Sequence, residues 1–220
     1  MDMDLKAVSV APKEEGDPKS VVFMLHGYGS HGREILNIVP NWTKRLPHTL
    51  FLAIEGPEVC EMTPDIPGLH QWFSMKTPTH ATLWDGASRV TPALNKFIDR
   101  VLEFQNIPAS KAVLLGFCQG ATMAMHATMA RVTPLAGTLA FGGAVIPPLP
   151  GIDVSMPKTD FMLVHGQDDD VIPFAAMDSA KTVLSGLGAT VQTVPCPECG
   201  HAIDDRGLGM GGDFLERKIG

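Results

Sequence analysis

Residues 113–120 constrain the fold of this 220-residue chain more than any other segment. A short apolar run ends in Gly116-x-Cys118-x-Gly120, and a stretch rich in alanine and methionine follows. This order of strand, sharp turn and helix is that of a nucleophile elbow, with a thiol where a hydroxyl is expected. Glycines flank the central residue because side chains there would collide with neighbouring backbone. The segment predicts a strained turn that presents Cys118.

Short apolar runs alternate with helical patterns along the whole chain. We therefore predict one α/β domain over residues 1–220, with a mainly parallel central sheet flanked by helices on both faces. The predicted strands are residues 21–25, 50–54, 111–116, 135–141, 161–165 and 190–194. The predicted helices are residues 33–46 with a break at Pro40, 84–105, 121–130, 176–187, and a tail from 202 loosened by glycines. Residues 55–82, which connect the predicted strand 50–54 to the predicted helix 84–105, form a loop long enough to suggest a function.

The net charge and the cysteine content indicate which classes of binding partner and which cellular location to expect. The formal net charge of −7 argues against nucleic acid or an anionic membrane as a partner. No apolar run approaches the roughly 20 residues that span a bilayer, and the first residues are acidic rather than apolar. Four cysteines in a chain of this length do not suggest a disulfide framework. We expect a cytoplasmic protein without stable membrane insertion, acting on a small molecule as a monomer or homodimer.

An elbow nucleophile needs a base within hydrogen-bond reach and a carboxylate that orients the base. On this kind of fold the order along the chain is nucleophile, acid, histidine. Three histidines follow Cys118: His126 on the helix after the elbow, His165 at a strand end, and His201. A loop after the last strand can return to the carboxyl edge of the sheet, where the elbow lies. This favours His201 as the base.

The acid is expected just after the strand that ends at His165. Asp168, Asp169 and Asp170 all stand there, and their spacing does not distinguish them. One of them would orient the base, and the other two would be solvated turn residues.

An oxyanion hole needs two N–H groups aimed at the developing negative charge. The residue after the nucleophile, Gln119, supplies one. The second is expected from the loop after the first predicted strand, where Gly27 and Gly29 allow a tight turn that points the Tyr28 N–H inward. The neighbouring His26 is interpreted as a brace for this loop rather than a reacting group.

Five segments carry recognisable motifs in a fixed order. They are the L-H-G-x-G pattern at 25–29, a W-F pattern at 71–74, the elbow with its preceding strand at 106–120, an H-G-x-x-D-x-V-x-P pattern at 165–173, and a G-H-x-I pattern at 200–203. Together they resemble the carboxylesterase/acyl-protein thioesterase (lysophospholipase-like) family of α/β-hydrolases. The resemblance runs over nearly the whole chain.

This resemblance implies an α/β-hydrolase fold and the hydrolysis of carboxylic esters or thioesters without a cofactor. It selects Asp169 as the acid and supports Tyr28 and Gln119 as oxyanion donors. It also implies that Trp72 and Phe73 line the acyl site, because the family's W-F pair lies close to the nucleophile.

The thiol at position 118 departs from the family, which uses serine. Ser74 also stands where the W-F-D motif has aspartate, and Ala121 where a second glycine is common. We expect a Cys-His-Asp hydrolase; dienelactone hydrolases are similar in fold and residue order, but they carry a glutamate that is missing from the first loop here. The alternatives are a dienelactone-hydrolase-like enzyme, a serine carboxylesterase whose nucleophile has been replaced by cysteine, and a non-catalytic acyl-binding protein.

The pair Cys196 and Cys199 resembles half of a zinc or redox site. With the nearby His201 it supplies three ligands at most, and His201 is already assigned to the triad. We therefore expect no metal.

Overall fold

A seven-stranded sheet forms the centre of the molecule, whose computed structural model describes residues 3–220. Residues 1 and 2, part of the expected acidic start, lie outside the described residues. The strands are β1 (Ala7–Val10), β2 (Ser20–Leu25), β3 (Thr49–Ile54), β6 (Ala112–Phe117), β7 (Gly137–Phe141), β8 (Asp160–Gly166) and β9 (Thr190–Cys196), with a separate hairpin of β4 (Glu58–Val59) and β5 (His70–Gln71). The order is β1-β3-β2-β6-β7-β8-β9, and every neighbouring pair except β1–β3 is parallel.

In the part of the chain that the structure describes, five α-helices cover the two faces of the sheet. They are α1 (Gly32–Ile35), α2 (His80–Gln105), α3 (Gln119–Met129), α4 (Ala175–Gly186) and α5 (Asp205–Ile219), with 3-10 turns at Leu36–Asn41 and Ala109–Lys111. Helices α2, α3 and α4 lie on one face, and α1 and α5 on the other. None of the helices within residues 3–220 has both the length and the apolar character needed to cross a bilayer.

Strand β2 shows why the central strands are continuously apolar. Val21 and Phe23 pack toward α2 and α3, while Val22 and Met24 pack toward α1 and α5, and all four side chains are fully buried. A strand covered on both faces needs apolar residues at every position. Because the central strands are parallel, their carboxyl ends meet at one edge, and the loops that leave this edge form the candidate site.

The predicted helix over residues 33–46 is wrong. The segment is the four-residue α1 followed by the 3-10 turn Leu36–Asn41. Pro40 lies in this turn, and a proline lacks the N–H that would continue an α-helix. The edge strand β1 was not predicted. Helix α2 begins four residues earlier than predicted, at a capping box in which Thr82 donates its N–H to the Thr79 hydroxyl at 3.2 Å.

The tail is a regular helix rather than a loosened one. Glycines reduce helix propensity in isolation, but here they allow close packing against the sheet. A Cβ at Gly211 would lie 3.0 Å from Phe141 Cζ, and one at Gly212 would lie 3.0 Å from Trp42 Cδ1. Tertiary contact therefore overrides propensity in α5.

Candidate active site

Cys118 occupies the turn between β6 and α3 in a strained conformation, with φ 56° and ψ −122°. Such a conformation costs a non-glycine residue about 1–3 kcal/mol and needs surrounding structure to hold it. Its N–H donates to Phe141 O at 2.9 Å, and its carbonyl accepts from the N–H groups of Ala121 and Thr122 at 3.0 and 3.1 Å. The backbone therefore fixes the position of the thiol.

The two glycines of the elbow are required by close backbone approach. A Cβ at Gly116 would lie 2.2 Å from Gly120 O, and a Cβ at Gly120 would lie 2.1 Å from Leu25 O. Neither position can carry a side chain, and this explains why the elbow motif has glycine at both. Cys118 directly precedes the first residue of α3, where the free N–H groups of a helix favour a negative charge.

Asp169 and His201 form a hydrogen-bonded pair beside the elbow. His201 Nδ1 and Asp169 Oδ2 are 2.8 Å apart. The other carboxylate oxygen, Oδ1, accepts from the N–H groups of Val171 and Ile172 at 2.9 and 2.8 Å. Burial tends to raise the pKa of Asp169, but the hydrogen bonds from His201 and the two amides lower it below its ordinary value. The carboxylate is therefore held ionised and in one orientation.

The three candidate aspartates have different surroundings. Asp169 is 8% exposed and contacts His201, whereas Asp168 and Asp170 are exposed. His165, the histidine at the end of β8, lies on the far side of the carboxylate, with Nε2 3.2 Å from Asp169 Oδ2 and 2.9 Å from Ile172 O. His165 therefore supports the turn that carries Asp169.

His201 carries its second nitrogen toward Cys118. Nε2 is buried and has no hydrogen-bond partner among residues 3–220. Cys118 and then Asp169 raise the pKa of His201 to about 9, against the lowering effect of burial. The raised pKa favours the protonated imidazole, which suits His201 to give a proton to a departing group.

The loop after β2 lies directly against Cys118, since a Cβ at Gly27 would lie 3.2 Å from Cys118 Cβ. Gly56 donates its N–H to His26 Nε2 at 2.9 Å, so the proton of this imidazole is on Nδ1, which donates to Gly27 O at 2.7 Å. Gly27 O and the Tyr28 N–H belong to the same peptide group, and in a trans peptide these two groups point in opposite directions. By holding Gly27 O, His26 therefore also fixes the orientation of the Tyr28 N–H.

Gln119 contributes through its backbone and its side chain. As the first residue of α3, it has an N–H without an acceptor inside the helix. Its side chain accepts from Trp72 N–H at 2.9 Å and donates to Phe73 O at 2.7 Å. The elbow is thus tied to the segment that carries the predicted acyl-site residues.

Two cavities meet at Cys118, and Tyr28 and Val171 also border both. The first, which we call the α2 cavity, has a volume of about 600 Å³ and is largely apolar, with Phe73, Met75, Leu83, Val145, Ile146 and Pro147 in its walls. The second, which we call the α1 cleft, has a volume of about 620 Å³ and includes Glu34, Ile35, Ile38, His201 and Ile203. Among the described residues, no lysine or arginine lines either space.

The structure separates the two predicted acyl-site residues. Phe73 lines the α2 cavity, whereas Trp72 is fully buried and borders neither space. The Trp72 indole donates to His26 O at 2.9 Å. Trp72 can therefore influence the cavity only by positioning the backbone around it.

Glu61 organises this part of the site and was missed in the sequence. It accepts hydrogen bonds from the Tyr28 hydroxyl at 3.1 Å, the Ser74 hydroxyl at 2.7 Å and the Met75 N–H at 2.6 Å. One of these donors, Ser74, is the residue that stands where the W-F-D motif has aspartate. No local pattern could have paired two residues 13 positions apart in a loop.

The remaining cysteines are all free thiols. Burial is the main cause that raises the pKa of Cys196, to about 12, and it also raises the pKa of Cys199. Within residues 3–220, no three histidine, cysteine, aspartate or glutamate side chains are grouped as a metal site would require.

Comparisons with known proteins agree with this architecture. A model of the Phospholipase/Carboxylesterase family matches residues 6–219. Esterase YpfH of Escherichia coli is 28% identical over 207 residues, which cover 91% of this chain and 84% of that protein. An acyl-protein thioesterase 1 of Gibberella zeae is 23% identical, with 91% of each chain covered.

Solved structures show the same fold. The crystal structure of esterase PE8 superposes with a TM-score of 0.88 at 29% identity, covering 97% of this chain and 99% of that one. A Bacillus cereus carboxylesterase gives a TM-score of 0.76 at 18% identity, covering 97% and 94%. The fold is therefore that of an α/β-hydrolase, as predicted.

The chain belongs to the Phospholipase/Carboxylesterase family, whose members are carboxylic ester hydrolases. The resemblance inferred from the five motifs is confirmed, and so is the predicted enzyme class.

Proposed function

We infer that this protein hydrolyses uncharged carboxylic esters or thioesters through a covalent acyl-enzyme on Cys118. The observation that carries this proposal is the position of Cys118, held at a strained helix start where two cavities meet. The His201–Asp169 pair lies beside it, and the oxyanion loop lies against it. Three further points remain predictions: the cytoplasmic location, the single domain over residues 1–220, and the monomeric or homodimeric state.

In the first half-reaction, the Cys118 thiolate attacks the acyl carbonyl carbon and forms a C–S bond. The carbonyl oxygen takes the electron pair, and the N–H groups of Tyr28 and Gln119 stabilise its charge. When the tetrahedral intermediate collapses, the bond to the leaving group breaks. His201 Nε2 gives its proton to the departing alkoxide or thiolate. Asp169 stabilises the imidazolium before this transfer.

In the second half-reaction, water attacks the acyl-thioester on Cys118. His201, now neutral, accepts a proton from the water, and the same two N–H groups stabilise the new oxyanion. Breaking the C–S bond releases the carboxylic acid and regenerates the Cys118 thiolate beside the His201 imidazolium. Each residue returns to its starting state.

The walls of the two cavities indicate the kind of substrate. The apolar α2 cavity fits an acyl chain, with Phe73 as the predicted contact, and the α1 cleft fits the leaving group. Apart from the histidines, the ionisable side chains that line the cleft are the acidic Glu34, Tyr28 and Cys118. A substrate with a phosphate or carboxylate on the leaving group would find no lysine or arginine in the walls of the cleft, which favours an uncharged ester or thioester.

Trapping the intermediate tests this proposal directly. The protein is mixed with p-nitrophenyl octanoate, quenched in acid within the first turnover, and mapped by peptide mass spectrometry. We expect an octanoyl group on Cys118, and none on the buried Cys60, which serves as the internal control. Turnover without an adduct on Cys118, or an adduct on another residue that tracks with turnover, would contradict the proposal.

A substitution at the edge of the α2 cavity tests the acyl site without disturbing the core. Met75 lines this cavity and is 40% exposed, so Met75→Ala should fold normally. We expect kcat/KM for p-nitrophenyl octanoate to fall by about fivefold, because apolar contact with the chain is lost, while the value for acetate stays the same. Met62→Ala is the matched control, since Met62 is 73% exposed and lies outside the cavity walls. Equal effects of both substitutions would place the acyl chain elsewhere.

A further inference from the structure

A third space lies along the same two helices, away from Cys118. It has a volume of about 610 Å³ and runs between α2, α3 and the connection from β7 to β8, and we call it the α2–α3 groove. Its walls include Trp84, Ser88, His126, Met129, Val154 and Met156. None of these residues takes part in the proposed reaction.

The groove continues the α2 cavity along three elements at once. On α3, Thr122 lines the cavity and His126, one helical turn or about 6 Å further on, lines the groove. On α2, the boundary falls between Leu83 and Trp84. On the third wall, residues 144–147 line the cavity, and residues 153–157 of the same connection line the groove. The two spaces therefore lie one after the other along these three elements.

Ile146 links the two spaces through its packing. It lines the α2 cavity, is 5% exposed, and belongs to the same apolar cluster as Leu83, which lines the cavity, and Trp84, which lines the groove. Among the described residues, none borders both spaces, so side chains between them must move before the two can connect. The connection is fastened near Cys118, where Ala144 N–H donates to the Thr122 hydroxyl at 3.2 Å.

The chemistry of the groove fits hydrocarbon rather than a charged group. Burial lowers the pKa of His126 to about 4, so its imidazole is neutral at pH 7. The cation at the groove, Arg131, already donates to Asp99 Oδ1 at 2.6 Å, Asn95 Oδ1 at 3.2 Å and Thr133 O at 3.0 Å. A carboxylate or phosphate would therefore compete with existing partners, whereas an alkyl chain would contact Trp84 and the methionines.

We propose that the α2–α3 groove binds the methyl end of long acyl chains, which enter through the α2 cavity and pass Ile146. This inference rests on the proposed function, because the acyl chain must be attached to an ester at Cys118. It makes the groove a subsite for chain length rather than a second reaction centre. Each methylene group that reaches the groove adds apolar contact, so long chains should bind more tightly than the α2 cavity alone allows.

Filling the groove tests the proposal. Hydrolysis of p-nitrophenyl butyrate and p-nitrophenyl laurate is compared in the native protein, in Ser88→Trp and in Ser88→Ala. Ser88 lines the groove and donates to or accepts from His126 Nε2 at 3.1 Å. We expect Ser88→Trp to leave kcat/KM for butyrate within about twofold and to lower the value for laurate by about tenfold, mainly through KM. Ser88→Ala removes the hydroxyl without filling the groove and should keep at least half of the laurate activity.

The outcomes separate the two inferences. A native protein that hydrolyses neither ester contradicts the proposed function itself. A protein that hydrolyses butyrate, with an unchanged ratio of laurate to butyrate in Ser88→Trp, contradicts the groove assignment alone and leaves the space to another ligand or to none. If Ser88→Trp unfolds, Val154→Trp is used instead to fill the groove from the opposite wall. The ratio of kcat/KM for laurate to that for butyrate then tests the groove assignment in the same way.

Discussion

Replacing Cys118 with serine is expected to lower kcat/KM for p-nitrophenyl butyrate by about a hundredfold. The elbow backbone is held by its hydrogen bonds to Phe141, Ala121 and Thr122, so it cannot move to compensate for a shorter side chain. A hydroxyl oxygen lies closer to Cβ than a sulfur does, and it would stop short of both His201 Nε2 and the acyl carbon. A hydroxyl must also lose its proton during attack, and it is intrinsically a weaker nucleophile than a thiol.

Cys118→Ala provides the reference for this experiment. It should retain only the catalysis that comes from binding and from the oxyanion N–H groups. All three proteins are assayed side by side, with thermal unfolding as a check on folding. If Cys118→Ser matches or exceeds the native protein, the site is a serine carboxylesterase with its working residue replaced, and the proposed cysteine mechanism is wrong.

The parts of the fold that sequence reasoning found are those with a strong local pattern. The central strands read as continuous apolar runs because both faces of the sheet are covered, and this pattern survives without any tertiary information. Helix α2 was found from its apolar spacing. The errors in the helices have different causes. Pro40 acts locally, because it lacks the N–H that would continue the predicted helix, and the segment forms a 3-10 turn. The glycines of α5 act through tertiary structure, because they allow packing against Phe141 and Trp42.

The candidate site also contains residues that a local pattern predicts and residues that it does not. Cys118, Gln119 and His201 follow from motif and chain order, since backbone geometry at an elbow is local. The acid does not follow from spacing, because Asp168, Asp169 and Asp170 are adjacent. The structure distinguishes them by burial and by hydrogen bonds that involve residues of another loop.

The supporting contacts could not be predicted at all. Glu61 meets Tyr28 and Ser74 only because the long loop folds back over the elbow. The walls of the α2 cavity likewise combine residues from five separate segments. Such contacts depend on the path of loops, which carries little signal in composition or periodicity.

Asp169→Asn is expected to lower kcat/KM by about 10³–10⁴-fold. The N–H groups of Val171 and Ile172 both donate to Oδ1, so an asparagine would place its carbonyl oxygen there. Its NH₂ group would then face His201 Nδ1, which must become an acceptor. The proton would move to Nε2, and the imidazole could no longer accept a proton from water in deacylation. The side chain keeps nearly the same shape, so the loss reports the changed proton arrangement and the removed charge.

The same substitution should lower the pKa of His201 from about 9, because Asp169 is one of the groups that raise it. Fewer molecules would then carry the imidazolium at pH 8, and the NMR titration of the His201 ring protons would show the shift directly. Asp168→Asn and Asp170→Asn remove the same charge from exposed neighbours and should stay within about twofold of the native activity. If Asp168→Asn or Asp170→Asn proves as damaging as Asp169→Asn, net charge rather than the His201 contact controls the site. If none of the three substitutions alters the turnover or the NMR titration of His201, the Cys-His-Asp assignment is wrong.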